Sequence, residues 1–289
     1  MPSKSGRERY PLHQSPLFKM RGKGQFEKII GVRWGAVLKL LRAKNYRVWT
    51  NSKGRVIQQP LGWLATVHGR IAELLSHIEL PDYVFSKKGR SYAGNARQHV
   101  GTVPVIKTDI HKFYPSVTWN MVYRLFVRDF QCAEDIAHRL ADICCFRQEH
   151  IPTGSPVSGR VTFFAARHMF DAIDAMAIER ECKMTAYVDD ITVSGQGATK
   201  RFLGEIRKLV SRNGLNTKQR KSRTYAPTAV KTVTGAIVAG DALRLPNKRH
   251  LKIWETKQAL ATATGPEKQR LIGTLRGRLQ EANQVIRRT

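Results

Sequence analysis

Val105-Ile106-Lys107-Thr108-Asp109-Ile110-His111-Lys112-Phe113-Tyr114 is an apolar strand that ends on an acid. Over Val103 to Tyr114, alternation sets Val103, Val105, Lys107 and Asp109 on one face and Ile106 and Ile110 on the other. Further along, Thr185 to Val188 and Ile191 to Ser194 read as two short strands with Asp189-Asp190 at the turn between them. If that hairpin lies beside the first strand, three carboxylates meet at the rim of one sheet. Like charges held together raise one another's pKa, so such a cluster is costly unless a cation neutralises it. Oxygen donors alone favour Mg²⁺. Two such ions about 3.5–4 Å apart can activate a hydroxyl and stabilise a leaving pyrophosphate. The plainer reading is solvated turn aspartates, which are common at hairpin tips. On these residues alone both stand.

The rest of the chain narrows the partner. It has 289 residues, with 50 Lys plus Arg against 22 Asp plus Glu and a net charge of +28. A surplus of that size repels itself in the folded state, and a polyanionic partner accounts for it most simply. Nucleic acid is the first candidate and an anionic membrane surface the second; a small-molecule enzyme is no longer the default. With 42% hydrophobic residues the chain can bury a real core. Cys132, Cys144, Cys145 and Cys182 show no framework or CxxC spacing, and are expected to be reduced core fillers. The basic start is followed by no apolar run of the secretory kind, and Trp34 to Leu41 is broken by Lys39 and too short to span a bilayer. A cytoplasmic protein without membrane contact is expected.

Around the acidic strand, a Pro-broken basic arm is predicted over residues 1–25, then a helix from Phe26 to Leu41. Tyr46 to Trp49 and Gly54 to Ile57 read as a hairpin turning at Asn51-Ser52-Lys53-Gly54, and Pro60 opens a helix to about Ile78. Helices follow over 119–130, 134–146 and 161–178, the last after a Pro/Gly loop, Ile151 to Ser158. A helix over 199–213, basic strands to Leu245 and two C-terminal helices complete the order, with Leu271, Leu275 and Leu279 at spacing four.

The strings VIKTDIHKFYPSV, IPTGSPVSG and AYVDDITVSG, in that order, resemble the reverse transcriptases, whose palm carries an aspartate strand, a PxGxPxS loop and a YxDD hairpin. Asn95-Ala96-Arg97-Gln98-His99 matches the NAxxH motif, and Val233-Thr234-Gly235 the VTG motif, of bacterial retron enzymes, and Ser15-Pro16-Leu17-Phe18 is similar to their opening segment. The resemblance implies an α+β right-hand polymerase, with an antiparallel palm sheet carrying the catalytic aspartates and a helical thumb. Its divisions would be fingers over 26–100, palm with interleaved fingers elements over 101–240, and thumb over 241–289.

By the same resemblance Asp109, Asp189 and Asp190 are the catalytic metal ligands, joined by the backbone carbonyl of Ile110, for two Mg²⁺ ions with Mn²⁺ as a substitute. Tyr114 would crowd a nucleotide's 2′-hydroxyl, with Phe113 beside it packing into the core. Arg55 and Lys53 would clamp phosphates from the fingers hairpin, Gly154 and Ser155 would face the incoming base, and Lys221 would lie near the pyrophosphate. Thr153, Gly159 and Phe163 depart from the family pattern. Asn95, His99, Thr234 and Gly235 would contact a structured RNA, and Lys248, Arg249 and Arg276 the template–primer backbone.

The implied activity is RNA-directed DNA synthesis from dNTPs on a cognate structured non-coding RNA. In the retron form the product is a branched RNA–DNA, in an anti-phage setting with a separate effector protein. A non-retron bacterial reverse transcriptase without the branched product, and an inert RNA-binding scaffold, are the alternatives.

Overall fold

The computed structural model describes residues 9–286. These form a mixed helical and antiparallel-sheet protein with two compact units. The first comprises residues up to Pro81, Ile110–Asp171 and Arg212–Leu215; the second comprises Asp82–Asp109, Ala172–Ser211 and Asn216 onward.

In the first unit, strands β1 (Tyr46–Thr50) and β2 (Val56–Pro60) form an antiparallel ribbon with Tyr46 opposite Pro60 and Thr50 opposite Val56. The side chain of Asn51 accepts the backbone N–H of Lys53 and of Arg55, at 2.9 and 3.0 Å, which closes the turn. Helices Lys23–Ile30, Gly62–Ser76, Glu134–Cys144 and Ser158–Ala165 supply the core, in which Phe26, Leu64, Ile71, Phe126, Phe130 and Phe164 are buried.

Several helices are shorter than their periodicity predicts. The helix over Phe26–Leu41 stops at Ile30, because Gly31 takes the left-handed conformation at φ 79° and caps it. A 3₁₀ turn and the short helix Val37–Leu40 follow. The helix from Trp119 gives way after Arg124 to a π turn over Leu125–Asp129. The expected 161–178 helix is two, Ser158–Ala165 and Arg167–Ile178, because Ala166 leaves the helical region. Of the basic arm, residues 1–8 lie outside the described residues. The remainder is tied down: Leu17 and Met20 are buried, and Tyr10 N–H donates to the His77 carbonyl at 3.0 Å.

In the second unit, β3 (Val105–Asp109), β4 (Lys183–Tyr187), β5 (Asp190–Ser194) and β6 (Arg223–Tyr225) form one antiparallel sheet in the order β4-β5-β3-β6. Helix Lys200–Arg212 buries Phe202, Leu203, Ile206 and Val210, at the three-to-four spacing of an amphipathic face. A second sheet, β7 (Lys231–Val233), β8 (Ala236–Ala239) and β9 (Ala242–Arg244), shares a small-residue core with helix Tyr92–Arg97 and the chain end through Ala93, Ala96, Val238, Ala282 and Val285. Helices Asn247–Thr262 and Gly265–Ile286 run alongside one another. They are exposed over most of their length, and Leu279, one of the three leucines at spacing four, is 39% exposed. All four cysteines are free and buried, as expected, and burial pushes each thiol up, Cys132 to about 11. No described helix is long and apolar enough to cross a membrane.

Candidate active site

Asp109 is the last residue of β3 and Asp190 the first of β5, and the register places them directly opposite one another. Asp190 also faces Tyr187 across the β4–β5 hairpin, so Val188 and Asp189 are its two-residue turn. Val188 sits at φ 60°. A β-branched residue there is a true outlier, costing on the order of 1–3 kcal/mol, and is sustained only where its surroundings over-determine it. The first central position of such turns favours glycine, which has no Cβ to clash. The hairpin is clamped by β3 on one side and by Phe85 on the other, whose N–H donates to the Ala186 carbonyl at 2.8 Å.

The expected meeting of three carboxylates at one sheet rim therefore occurs, and within one unit. Asp109 is almost fully buried, at 1% exposure. Burial raises the Asp189 carboxyl to about 6, with Asp109 and Asp190 adding to the rise. Burial raises Asp190 as well, opposed by Lys107 and reinforced by Asp109.

Two lysines answer this charge. Lys221 Nζ donates to Asp109 Oδ2 at 2.5 Å, and Lys218 Nζ lies 3.0 Å from Oδ1. The second contact is an ion pair without hydrogen-bond alignment, and Oδ1 has no hydrogen-bond partner among the described residues. Burial pulls Lys221 down, but its hydrogen bond to Asp109 and the three carboxylates outweigh that, so its pKa is raised. Among the described residues no three Asp, Glu, His or Cys side chains are placed to grip one ion as they stand. The donor chemistry nevertheless fits a hard dication. Three clustered carboxylates, one with a buried oxygen lacking a hydrogen bond, are what such an ion would neutralise, with the lysines as counter-charge meanwhile.

The remaining expected residues divide between the units. In the first, Lys53 and Arg55 are exposed at the ribbon tip. Ile110 and Phe113 are buried, the Phe113 ring packing edge-on to Phe170 at 6.0 Å between centroids. Tyr114 is half-buried, and a Cβ on Gly159 would lie 3.9 Å from its hydroxyl. Gly154 has φ 104°, and a Cβ there would come within 2.7 Å of Ile57 Cγ2. The loop is hydrogen-bonded to β2: Gln58 N–H donates to the Thr153 carbonyl at 2.6 Å, and Thr153 N–H to Gln58 Oε1 at 3.0 Å.

His68 is a residue the sequence reading passed over. Its Nε2 is 2.7 Å from the Ile143 carbonyl, which can only accept, so Nε2 carries the proton. Nδ1 then accepts from Ser155 Oγ at 2.5 Å, which fixes the neutral tautomer. Position 68 falls one turn after Leu64 and beside Val67 and Ile71, an apolar spacing that signals burial; its partner, 87 residues downstream, carried no signal.

In the second unit Asn95 and His99, expected to touch RNA, are buried at 1% and 0%. Helix Tyr92–Arg97 ends before His99, so the two do not share a helical face. Their polar atoms turn inward. His99 bonds Ser194 and Thr185, and Asn95 Nδ2 lies 3.4 Å from Thr234 Oγ1. Thr234 and Gly235 take left-handed φ of 44° and 88° in the β7–β8 turn. Lys248 and Arg276 are exposed, whereas Arg249 is half-buried and paired with Glu281.

The profile of the reverse transcriptase (RNA-dependent DNA polymerase) family matches residues 39–258. The retron Ec86 reverse transcriptase of Escherichia coli is 26% identical over 220 residues, 72% of this chain and 68% of that protein. The retron Ec48 reverse transcriptase of Escherichia coli is 25% identical over 171 residues, 57% of this chain and 41% of that protein. The retron Mx162 reverse transcriptase of Myxococcus xanthus is 27% identical over 179 residues, 52% of this chain and 37% of that protein. The chain thus matches about two thirds of the first and about two fifths of the other two. By the match over residues 39–258 the chain belongs to the reverse transcriptase family, the RNA-dependent DNA polymerases, and is of the bacterial retron type.

Proposed function

We propose that this enzyme copies part of a cognate structured non-coding RNA into single-stranded DNA, leaving a branched RNA–DNA product, and that it serves anti-phage defence in the cytoplasm with a separate effector protein. One observation carries the chemical part: Asp109 and Asp190 face each other in register, with Asp189 beside them in a strained turn. In this reading the three aspartates, with the Ile110 carbonyl, hold two Mg²⁺ ions, for which Mn²⁺ can substitute. Bound there, the ions would acidify the attacking hydroxyl and stabilise the departing pyrophosphate.

The chain's own residues do the rest. Lys221 and Lys218 pair with the two oxygens of the Asp109 carboxylate. Lys221, its pKa raised, is protonated at neutral pH and so able to give a proton or a charge-assisted hydrogen bond to a leaving phosphate. Tyr114 excludes the 2′-hydroxyl by contact, Gly154 and Ser155 offer a loop that a base can approach closely, and Lys53 and Arg55 reach phosphates from an exposed tip. Helices Asn247–Thr262 and Gly265–Ile286 form the thumb, with Lys248 and Arg276 available to a nucleic-acid backbone. The right-hand divisions at 26–100, 101–240 and 241–289 belong to the same proposal.

The test is isolation of the protein with its bound nucleic acid from its native locus. That nucleic acid is then resolved on a denaturing gel, with and without RNase and debranching enzyme. A DNA band that shortens with RNase and shifts again on debranching supports the retron product; extension without a branch points to a non-retron enzyme. Asp189→Asn combined with Asp190→Asn should abolish synthesis and leave RNA binding nearly intact; undiminished extension would remove the aspartates from the chemistry.

A further inference from the structure

Within residues 92–99, Ala93, Asn95, Ala96 and His99 are buried, and the side chains of Tyr92, Asn95, Arg97 and His99 each bond another part of the second unit. The His99 imidazole spans the base of the aspartate hairpin: Nδ1 lies 2.8 Å from Ser194 Oγ on β5, and Nε2 lies 2.7 Å from Thr185 Oγ1 on β4. Thr185 is two residues before Tyr187, the partner of Asp190, so its ladder position is about 7 Å from that of the aspartate. Paired residues share a sheet face, and the pairs Thr185–Thr192 and Tyr187–Asp190 put Thr185 on the face of Asp190. His99 thus holds both strands of a hairpin whose tip is strained at Val188.

The other end of the segment grips the C-terminal helix. Arg97 donates to the Gln284 carbonyl at 2.7 Å, and the Tyr92 hydroxyl donates to Glu281 at 3.1 Å. Arg249 donates to the Tyr92 hydroxyl at 2.7 Å and is paired with Glu281. Between the two ends, Thr234 Oγ1 donates to the Tyr92 carbonyl at 2.7 Å and lies beside Asn95. No polar group of Asn95 or His99 is presented to solvent.

We propose that His99 is a positioning residue for nucleotidyl transfer: residues 92–99 are an internal strut that ties the aspartate hairpin to helix Gly265–Ile286. The strut rests on the reading of Asp189 and Asp190 as catalytic. Its physical basis is that the hairpin's left-handed Val188 holds only while both strands are fixed at their base. Releasing either strand lets the tip relax, and displacement of a reacting group by about 1 Å can cost ~10²-fold in rate.

The experiment compares His99→Gln, which keeps one hydrogen-bonding end, with the paired change Thr185→Val and Ser194→Ala, which removes the ring's partners and keeps the ring. Both are measured in the full protein on its native RNA. The expected result is a 10- to 100-fold fall in kcat, with the KM for dNTP and the Kd for the RNA within about twofold. Amide exchange over residues 185–194, followed in protein without added metal, should quicken in both. Arg97→Ala should lower kcat as well, and its effect should be less than additive with that of His99→Gln, since either change releases the same strut. Loss of RNA affinity with kcat intact would make His99 a recognition residue, and additive effects would remove the strut; either result overturns the proposal. Unimpaired synthesis by Asp189→Asn would instead defeat the catalytic reading, and the exchange data would still report on the strut.

Discussion

Lowering the pH from 7.5 to 5.0 should remove about 2 kcal/mol of stability through each of two buried histidines. Burial lowers His68 to about 4 and His99 to about 3, with Lys183 adding to the second shift. Both lie below the unfolded value of about 6.5, so the folded protein prefers the neutral ring. A histidine of this kind stabilises fully above pH 6.5, and its contribution drains away as the pH falls toward the folded-state value. At pH 5.0 the unfolded ring is almost fully protonated and the folded one is not. The protonation free energy available only to the unfolded chain is then RT ln(1 + 10^1.5), about 2 kcal/mol for each ring. Because pH 5.0 lies above both folded values, the loss is set by the unfolded chain. Asp189, raised to about 6, titrates in the same window with the opposite sign, so the measurement is a difference between proteins. Urea unfolding followed by tryptophan fluorescence gives the pH-dependent change for the wild type and for His99→Gln. The wild type should lose about 2 kcal/mol more than the variant. A difference under about 0.5 kcal/mol would refute the claim that His99 is held neutral, and His68→Gln gives the parallel test.

Gly154→Ala forces a Cβ against Ile57 at a φ of 104°, so it should destabilise the protein by about 1–3 kcal/mol. Thermal unfolding reads that cost, and steady-state kinetics should show a raised KM for dNTP, since the loop and β2 move together. If Tyr114 is the ring that excludes the 2′-hydroxyl, as proposed, Tyr114→Ala should admit ribonucleotides; primer extension with each rNTP in place of its dNTP reads this. Unchanged discrimination would take the gate away from Tyr114.

The aspartate pairing was legible because β-strands carry a strict period of two. An acid at the end of an apolar strand and an acid pair between two apolar arms can meet only at a sheet end, and Asp109 and Asp190 do. The break at Gly31 was within reach, since glycine is the usual left-handed cap; the break at Ala166 was not, since alanine favours a helix. The NAxxH string was readable as a motif, but the direction its side chains take was not. A short string shows which residues recur and not which way they face, and here Asn95 and His99 face inward.

What the sequence by itself determined is the set of groups and their local order: three carboxylates at strand ends, a basic excess, a glycine where the chain must turn tightly. Those properties come from side-chain chemistry and local backbone sterics, which act over a few residues. Only the tertiary structure decided the partners. Lys221 reaches Asp109 across 112 residues, His68 reaches Ser155 across 87, and His99 reaches Ser194 across 95. Contacts at that separation are selected by packing of the whole unit, where burial removes water as a competitor and leaves each polar atom to find whatever neighbour the fold has brought to it.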